Sequence, residues 1–254
     1  MYTKDLQSQV SEWFSSQNGQ YLLEKEQQAF NRLCSRVFGF HLLQIGWLDD
    51  NQPMLVDSPL QQQILLGQSQ FNEVQNYIVA DGEQLPVLTD SIDAVLLPHT
   101  LDFSNDPQNV LREVERVLIP EGRVILTGFN PVSFWGLQRH FKKKSGQSIP
   151  WQGHFVSYTR LHDWLSLLGL DVEQTEVTFY RPYLEKQSFM KRLEFLEKLG
   201  SRFWPGFGSV YMIKAVKRVS RLTPIKPTWK RRPRLLANVV EPSTRSLHNR
   251  KTTE

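Results

Sequence analysis

Apolar residues recur at helical spacing through the first forty positions, and after that the pattern changes to short apolar runs separated by helical stretches. Leu6, Val10, Trp13 and Phe14 mark one amphipathic helix, with Thr3 as a candidate cap and Gly19 as a candidate stop. Phe30, Leu33, Cys34 and Val37 form the stripe of a second helix that ends before Gly39. Cys34 lies on that stripe, which reads it as a small core residue rather than a nucleophile. From residue 40 the apolar runs predict strands at 40–46, 62–66, 76–81, 91–97, 122–127, 171–179 and 209–216. Between them, Asp106 and Pro107 open a helix with Val110, Leu111, Val114, Val117 and Leu118 turned inward. Ser157 opens another, through Leu161, Trp164, Leu165 and Leu168 to a stop at Gly169, and a further helix is expected over 185–199.

Strands alternating with helices predict an α/β protein: a doubly wound, mostly parallel seven-stranded sheet with right-handed crossovers and helices on both faces. The pattern divides the chain into N-terminal helices over 1–39, a sheet domain over 40–216 and a tail over 217–254. Within the sheet domain, 129–158 is an irregular insertion. Sheets of this kind place ligands beyond the carboxyl ends of their strands, where strand order reverses.

Charge sharpens this division. The net charge of +4 on 254 residues hides an asymmetry: residues 1–180 hold 12 Lys/Arg against 21 Asp/Glu, a net of −9, while residues 181–254 hold 18 against 5, a net of +13. The run from Lys217 to Arg234, where Trp229 sits among the charges and Pro224, Pro227 and Pro233 interrupt them, reads as a solvated extension, or as the place where an acidic partner such as RNA or anionic lipid would be sought. That composition predicts disorder rather than a packed core. No apolar run approaches the ~18–20 residues of a membrane span. The first residues are polar, without a signal-peptide core. A single cysteine makes no intrachain disulfide and no Cys/His cluster has zinc spacing, so neither a structural metal nor an oxidising compartment is implied. A cytoplasmic protein is expected.

The most informative stretch runs from Val79-Ala80-Asp81-Gly82-Glu83-Gln84-Leu85-Pro86 through Ser91-Ile92-Asp93-Ala94-Val95-Leu96-Leu97-Pro98-His99-Thr100-Leu101. It continues at Leu111-Arg112-Glu113-Val114-Glu115-Arg116-Val117-Leu118-Ile119-Pro120-Glu121-Gly122. Over roughly residues 40–216 this resembles the class I S-adenosylmethionine-dependent methyltransferases, in the group related to the quinone-biosynthesis enzymes. The resemblance implies a Rossmann-like fold, S-adenosylmethionine as cofactor and methyl transfer to an unidentified acceptor. It implies that Asp81 accepts the adenine amino proton, that the backbone of Gly82 approaches the ring, and that Pro98, His99, Thr100 and Leu101 wall the pocket. The same Asp81-Gly82 pair also serves as a plain turn after a strand.

At the first turn the chain departs from the family pattern. Of the expected glycines only Gly46 is present in Gln44-Ile45-Gly46-Trp47-Leu48-Asp49-Asp50, and Gln44 stands in the place of an acid. Gln44 and Gly46 remain the cofactor candidates there. The second strand offers Gln68 in place of a ribose-gripping acid. A general base is needed only for acceptors whose proton must leave; His99 is the candidate, with His154 and Tyr158 behind it. The insertion, with Trp135, Trp151 and Lys142 to Lys144, reads either as a cover over the substrate or as a surface loop whose lysines are solvated. Two functions follow: an active methyltransferase, or a methyltransferase-like module that binds or regulates without catalysis.

Overall fold

The computed structural model describes residues 4–46, 48, 60–67, 76–144, 151–182, 199–200, 202–204 and 206–219. Helices α1 (Lys4–Ser15) and α2 (Gln17–Cys34) come first, with the side chains of 4–7 outside the description. Their junction is tighter than the sequence pattern suggests. Ser16 caps α2, its Oγ accepting from Gly19 N–H at 3.3 Å, so Gly19 lies in the first turn of α2 rather than ending α1. A Cβ at Gly19 would stand 2.3 Å from the Trp13 carbonyl oxygen and 2.5 Å from Phe14 Cα. The absence of a side chain is what lets the two helices meet so closely.

Seven strands follow: β1 (His41–Ile45), β2 (Gln62–Gly67), β3 (Tyr77–Val79), β4 (Ile92–Leu97), β5 (Leu118–Phe129), β6 (Leu170–Thr178) and β7 (Val210–Lys217). They form one sheet in the order β3-β2-β1-β4-β5-β7-β6, parallel from β3 to β5 and antiparallel through β7. The order reverses between β1 and β4, which places a switch point there. Strand β5 starts earlier than its apolar run, because Leu118 pairs with Ile92 before a register shift brings Arg123 opposite Ala94. The expected helix 185–199 falls almost wholly outside the described residues.

Two apolar layers flank the sheet. On one face α4 (Pro107–Val117) and α6 (Tyr158–Leu167) pack Val110, Leu111, Val114, Leu161 and Leu165 against Leu43, Ile45, Val95, Leu97, Val124 and Leu126. Both caps predicted from sequence are made. Asp106 accepts from Asn109 N–H at 3.0 Å, and Ser157 accepts from Arg160 N–H at 3.4 Å. On the other face α1 and α2 cover Leu42, Ala94, Leu96, Ile125 and Met212 with Val10, Trp13, Phe14, Leu22, Ala29 and Phe30. Among the described residues no helix follows β1 or β2, so this face is covered by helices that precede the sheet.

The insertion is more integrated than a free cover would be. Helix α5 (Phe134–Lys144) carries Trp135, fully buried with its Nε1–H donating to the Arg181 carbonyl at 2.9 Å. Trp151 is buried in the same cluster, while Phe134 and Leu137 face solvent. The side chains of Phe141 to Lys144 lie outside the described residues. At the other end of the chain, Lys217 belongs to β7 rather than to a tail. Its buried Nζ donates to Asp90 Oδ1 at 2.8 Å and to the carbonyls of Glu115 and Leu118 at 2.8 and 2.9 Å. The basic run from residue 220 lies outside the described residues. No helix among the described residues is long and apolar enough to cross a membrane.

Candidate functional site

The carboxyl ends of β1, β3 and β4 converge at the switch point. After β1, Gly46 takes a left-handed φ of +81° and its N–H continues the ladder to the Leu66 carbonyl at 2.8 Å. A Cβ there would stand 3.2 Å from Thr100 Oγ1. Thr100 in turn donates its hydroxyl proton to the Ile45 carbonyl, tying the segment after β4 to the end of β1. After β3, Gly82 comes so close to β1 that a Cβ would meet Ile45 Cγ2 at 3.1 Å. Gly46, Asp81 and Gly82 are half-buried, while Pro98, His99, Thr100 and Leu101 are buried behind them. The structure thus brings seven of the eight cofactor candidates to neighbouring strand ends, three half-buried and four buried, with the eighth, Gln44, buried within β1.

The loop after β3 is held rigidly. Asp81 Oδ1 accepts from Glu83 N–H at 3.1 Å, a turn-closing role that leaves Oδ2 for another donor. Asn109 of α4 donates to the Glu83 carbonyl at 2.8 Å. Glu113 accepts from Leu85 N–H at 2.9 Å, and Arg116 donates to the carbonyls of Leu85 and Val87 at 3.0 and 2.9 Å. The paired acid and base of α4 therefore clamp the backbone that carries Asp81.

Towards the first turn the fit changes. Gln44 is buried and its Nε2 donates to the Gly46 carbonyl at 3.0 Å, so its amide closes its own turn. Leu48 is buried in the apolar cluster formed with α1 and α2. Trp47, Asp49, Asp50 and Gln68 lie outside the described residues. The strand ends thus offer the Asp81 carboxylate, two glycines in close approach at 46 and 82, and the buried residues 98–101. No carboxylate is among the described residues of the β1 turn.

His99 occupies a position that the motif alone does not reveal. It leaves β4 in the left-handed region, φ 50° and ψ 15°, and opens the short helix α3 (Thr100–Phe103). Its Nδ1 lies 2.8 Å from Asp102 Oδ2 and its Nε2 2.8 Å from Glu26 Oε1 of α2. All three side chains are fully buried. Ionised carboxylates only accept, so with both partners ionised each ring nitrogen carries a proton and the ring is an imidazolium. Burial alone would push the group down, but the Glu26 charge and the hydrogen bonds to Asp102 and Glu26 outweigh it and raise the pKa to about 9. Burial pushes the Asp102 carboxyl up, against the lowering effect of His99 and of the Phe129 N–H that donates to it at 2.9 Å. Phe129 and Phe14 pack beside the ring, with centroids at 4.0 and 5.7 Å.

The expected general base at His99 therefore has no nitrogen open to an acceptor in this arrangement. His154 and Tyr158 are exposed, the latter at the start of α6. The partner that sequence reasoning missed is Glu26. Its signal was present: an acid in step with Leu22, Leu23, Ala29, Phe30 and Leu33 on the buried stripe of α2. Among the described residues, no group of three or more His, Cys, Asp or Glu side chains is arranged to hold a metal ion. The Cys34 thiol, fully buried, is pushed up to about 12, by burial against a lowering effect of Lys214.

The sheet is doubly wound with its switch point between β1 and β4, and comparison with known proteins gives the relatives of this fold. Residues 49–126 match the family model described as a methyltransferase domain. The Escherichia coli protein YafS is 31% identical over 237 residues, which cover 92% of this chain and 84% of that protein. Among solved structures, an S-adenosylmethionine-dependent methyltransferase from Thermotoga maritima superposes with a TM-score of 0.57 at 19% identity, covering 83% of this chain and 99% of that one. A Haloferax volcanii protein, solved in complex with the Trm112 methyltransferase activator, superposes with a TM-score of 0.56 at 14% identity, covering 83% and 98%. The chain belongs to the same family as YafS, carries a methyltransferase-domain match over residues 49–126, and has the fold of the S-adenosylmethionine-dependent methyltransferases.

Proposed function

We propose that the chain binds S-adenosylmethionine at the carboxyl ends of β1, β3 and β4 and transfers its methyl group to an acceptor. The observation that carries this reading is the convergence of Gly46, Asp81, Gly82 and Thr100 at one mouth, tied by the Thr100 bond to the Ile45 carbonyl. Asp81 would take the adenine amino group, and Pro98 and Leu101 would back the ring. Gly46 and Gln44 would border the ribose and amino-acid end. Bound there, the cofactor supplies an electrophilic sulfonium methyl, and the work left to the chain is orientation and exclusion of water. His99 serves this reading as part of the wall rather than as a base.

The test is calorimetry with S-adenosylmethionine on the full chain and on Asp81→Ala. Saturable binding that Asp81→Ala weakens by about tenfold or more supports the reading. No heat at millimolar cofactor overturns it.

A second reading, a methyltransferase-like module without catalysis, is favoured by one observation. Leu48 is packed into the core and Gln44 is turned onto its own backbone, where a cofactor's charged end needs partners. Incorporation of labelled methyl groups from the cofactor into any component of a cell extract would refute that reading. Under either one, the net charge of +13 on residues 181–254 favours an acidic partner such as RNA. The mark of that partner is binding that weakens steeply with salt and is lost when residues 220–254 are deleted.

A further inference from the structure

The Glu26–His99–Asp102 network joins α2 to the wall of the site, and the proposed chemistry makes no use of it. Three features set it apart from an ordinary buried ion pair. Glu26 lies 73 residues from His99 in sequence, on a helix that precedes the sheet. His99 holds a left-handed backbone conformation that costs a non-glycine residue free energy, and such a conformation persists only where its surroundings impose it. Among the described residues, Glu26 Oε2 and Asp102 Oδ1 are buried without a hydrogen-bond partner, as Glu26 Oε1 and Asp102 Oδ2 take the two ring nitrogens.

What the network does determine is the place of Thr100. The His99 N–H donates to Thr127 Oγ1 at 3.0 Å, and its ring is pinned from two sides by carboxylates. Asp102 is fixed by the Phe129 N–H. With His99 held at both backbone and ring, the next residue must present its hydroxyl to the Ile45 carbonyl, against the missing Cβ of Gly46.

We infer that Glu26 is a positioning residue for the cofactor site: acting through His99, it holds the wall at Thr100 in the shape that receives the adenosyl group, so that docking of α2 and ligand binding are coupled. This inference rests on the site assignment proposed above. Coupling of this kind is reciprocal. The ligand must tighten α2 by the same factor by which a docked α2 tightens the ligand.

The experiment compares the wild-type chain with Glu26→Gln, which keeps the size of the side chain and removes its charge, using S-adenosylhomocysteine as probe. Amide hydrogen exchange is followed with and without the probe, and affinity is measured by calorimetry. Without probe, Glu26→Gln should speed exchange at residues 98–103 and 45–46, and not only within α2. With probe, wild-type protection should rise in α2 around residue 26. The affinity of Glu26→Gln should fall by roughly tenfold, and the added protection of α2 should vanish. A purely structural role for Glu26 would lower the melting temperature while leaving affinity unchanged and exchange at 98–103 untouched; either of those two results overturns the inference. Should wild type bind no probe, the site assignment falls, and exchange at 98–103 without probe still decides whether Glu26 positions that segment. Should Glu26→Gln not fold, Phe30→Leu, which loosens the packing of α2 against the sheet without altering a charge, should reproduce the affinity loss; unchanged affinity in that variant overturns the inference.

Discussion

The imidazolium at His99 should make the folded chain lose stability as pH rises through the weakly alkaline range. The folded state holds this proton more tightly than the unfolded chain does, with the pKa raised from 6.5 to about 9. The stabilisation is therefore complete below pH 6.5 and lost as pH passes up through 9. A shift of that size corresponds to a ceiling of about 3 kcal/mol, because each pKa unit is worth about 1.4 kcal/mol. For a urea slope of roughly 2 kcal/mol per molar, the unfolding midpoint should fall by about 1 M or somewhat more between pH 6.5 and 9. The assay is urea unfolding followed by tryptophan fluorescence at half-unit steps of pH, with the His99 ring proton followed by NMR over the same range. The His99 resonance is identified by its absence in His99→Gln. The window ends at 9 because the Cys34 thiol, raised to about 12, begins to contribute in the same direction above it. An NMR midpoint at or below 6.5, or a midpoint of unfolding that rises across the window, would refute the assignment of two ionised carboxylates to this ring.

Other expectations follow from single contacts. Gly46→Ala places a side chain at φ +81° and 3.2 Å from Thr100 Oγ1, so it should cost about 1–2 kcal/mol in urea unfolding and weaken adenosyl binding. Gly19→Ala adds helix propensity worth about 1 kcal/mol but puts a methyl 2.3 Å from the Trp13 carbonyl; the clash should win, lowering the melting temperature, and a stabilised variant would contradict the close crossing of α1 and α2. Cys34 should stay unmodified by a thiol reagent in the native state at pH 8 and react on unfolding in urea, since it is buried and un-ionised; native-state labelling in step with the reagent would contradict this.

The sheet was legible because most of its strands carry a short apolar run bounded by turn residues, and because the helix caps at Asp106 and Ser157 are local devices. Local rules reach across three or four residues, and those features need no more. Gly19 misled for the same reason. As a stop signal it is a local expectation, and only the approach of a second helix turns it into a packing requirement. Lys217 reads as the first charge of a basic run, yet its ammonium reaches Asp90 and the carbonyls of Glu115 and Leu118, partners about a hundred residues away.

The site divides along the same line. Asp81, Gly82, Pro98 and Thr100 could be placed at strand ends from spacing alone, since the polarity of a parallel sheet sends all those ends to one side. By itself, then, the sequence determined the seven strands and the strand ends at which these residues stand, while the strand order that makes the switch point came from the tertiary structure. The tertiary structure alone decided that His99 faces Glu26 rather than an acceptor. A histidine's role depends on which charges surround its ring, and here one of those charges arrives on a helix 73 residues earlier, brought across the sheet by burial of the apolar stripe on which it rides.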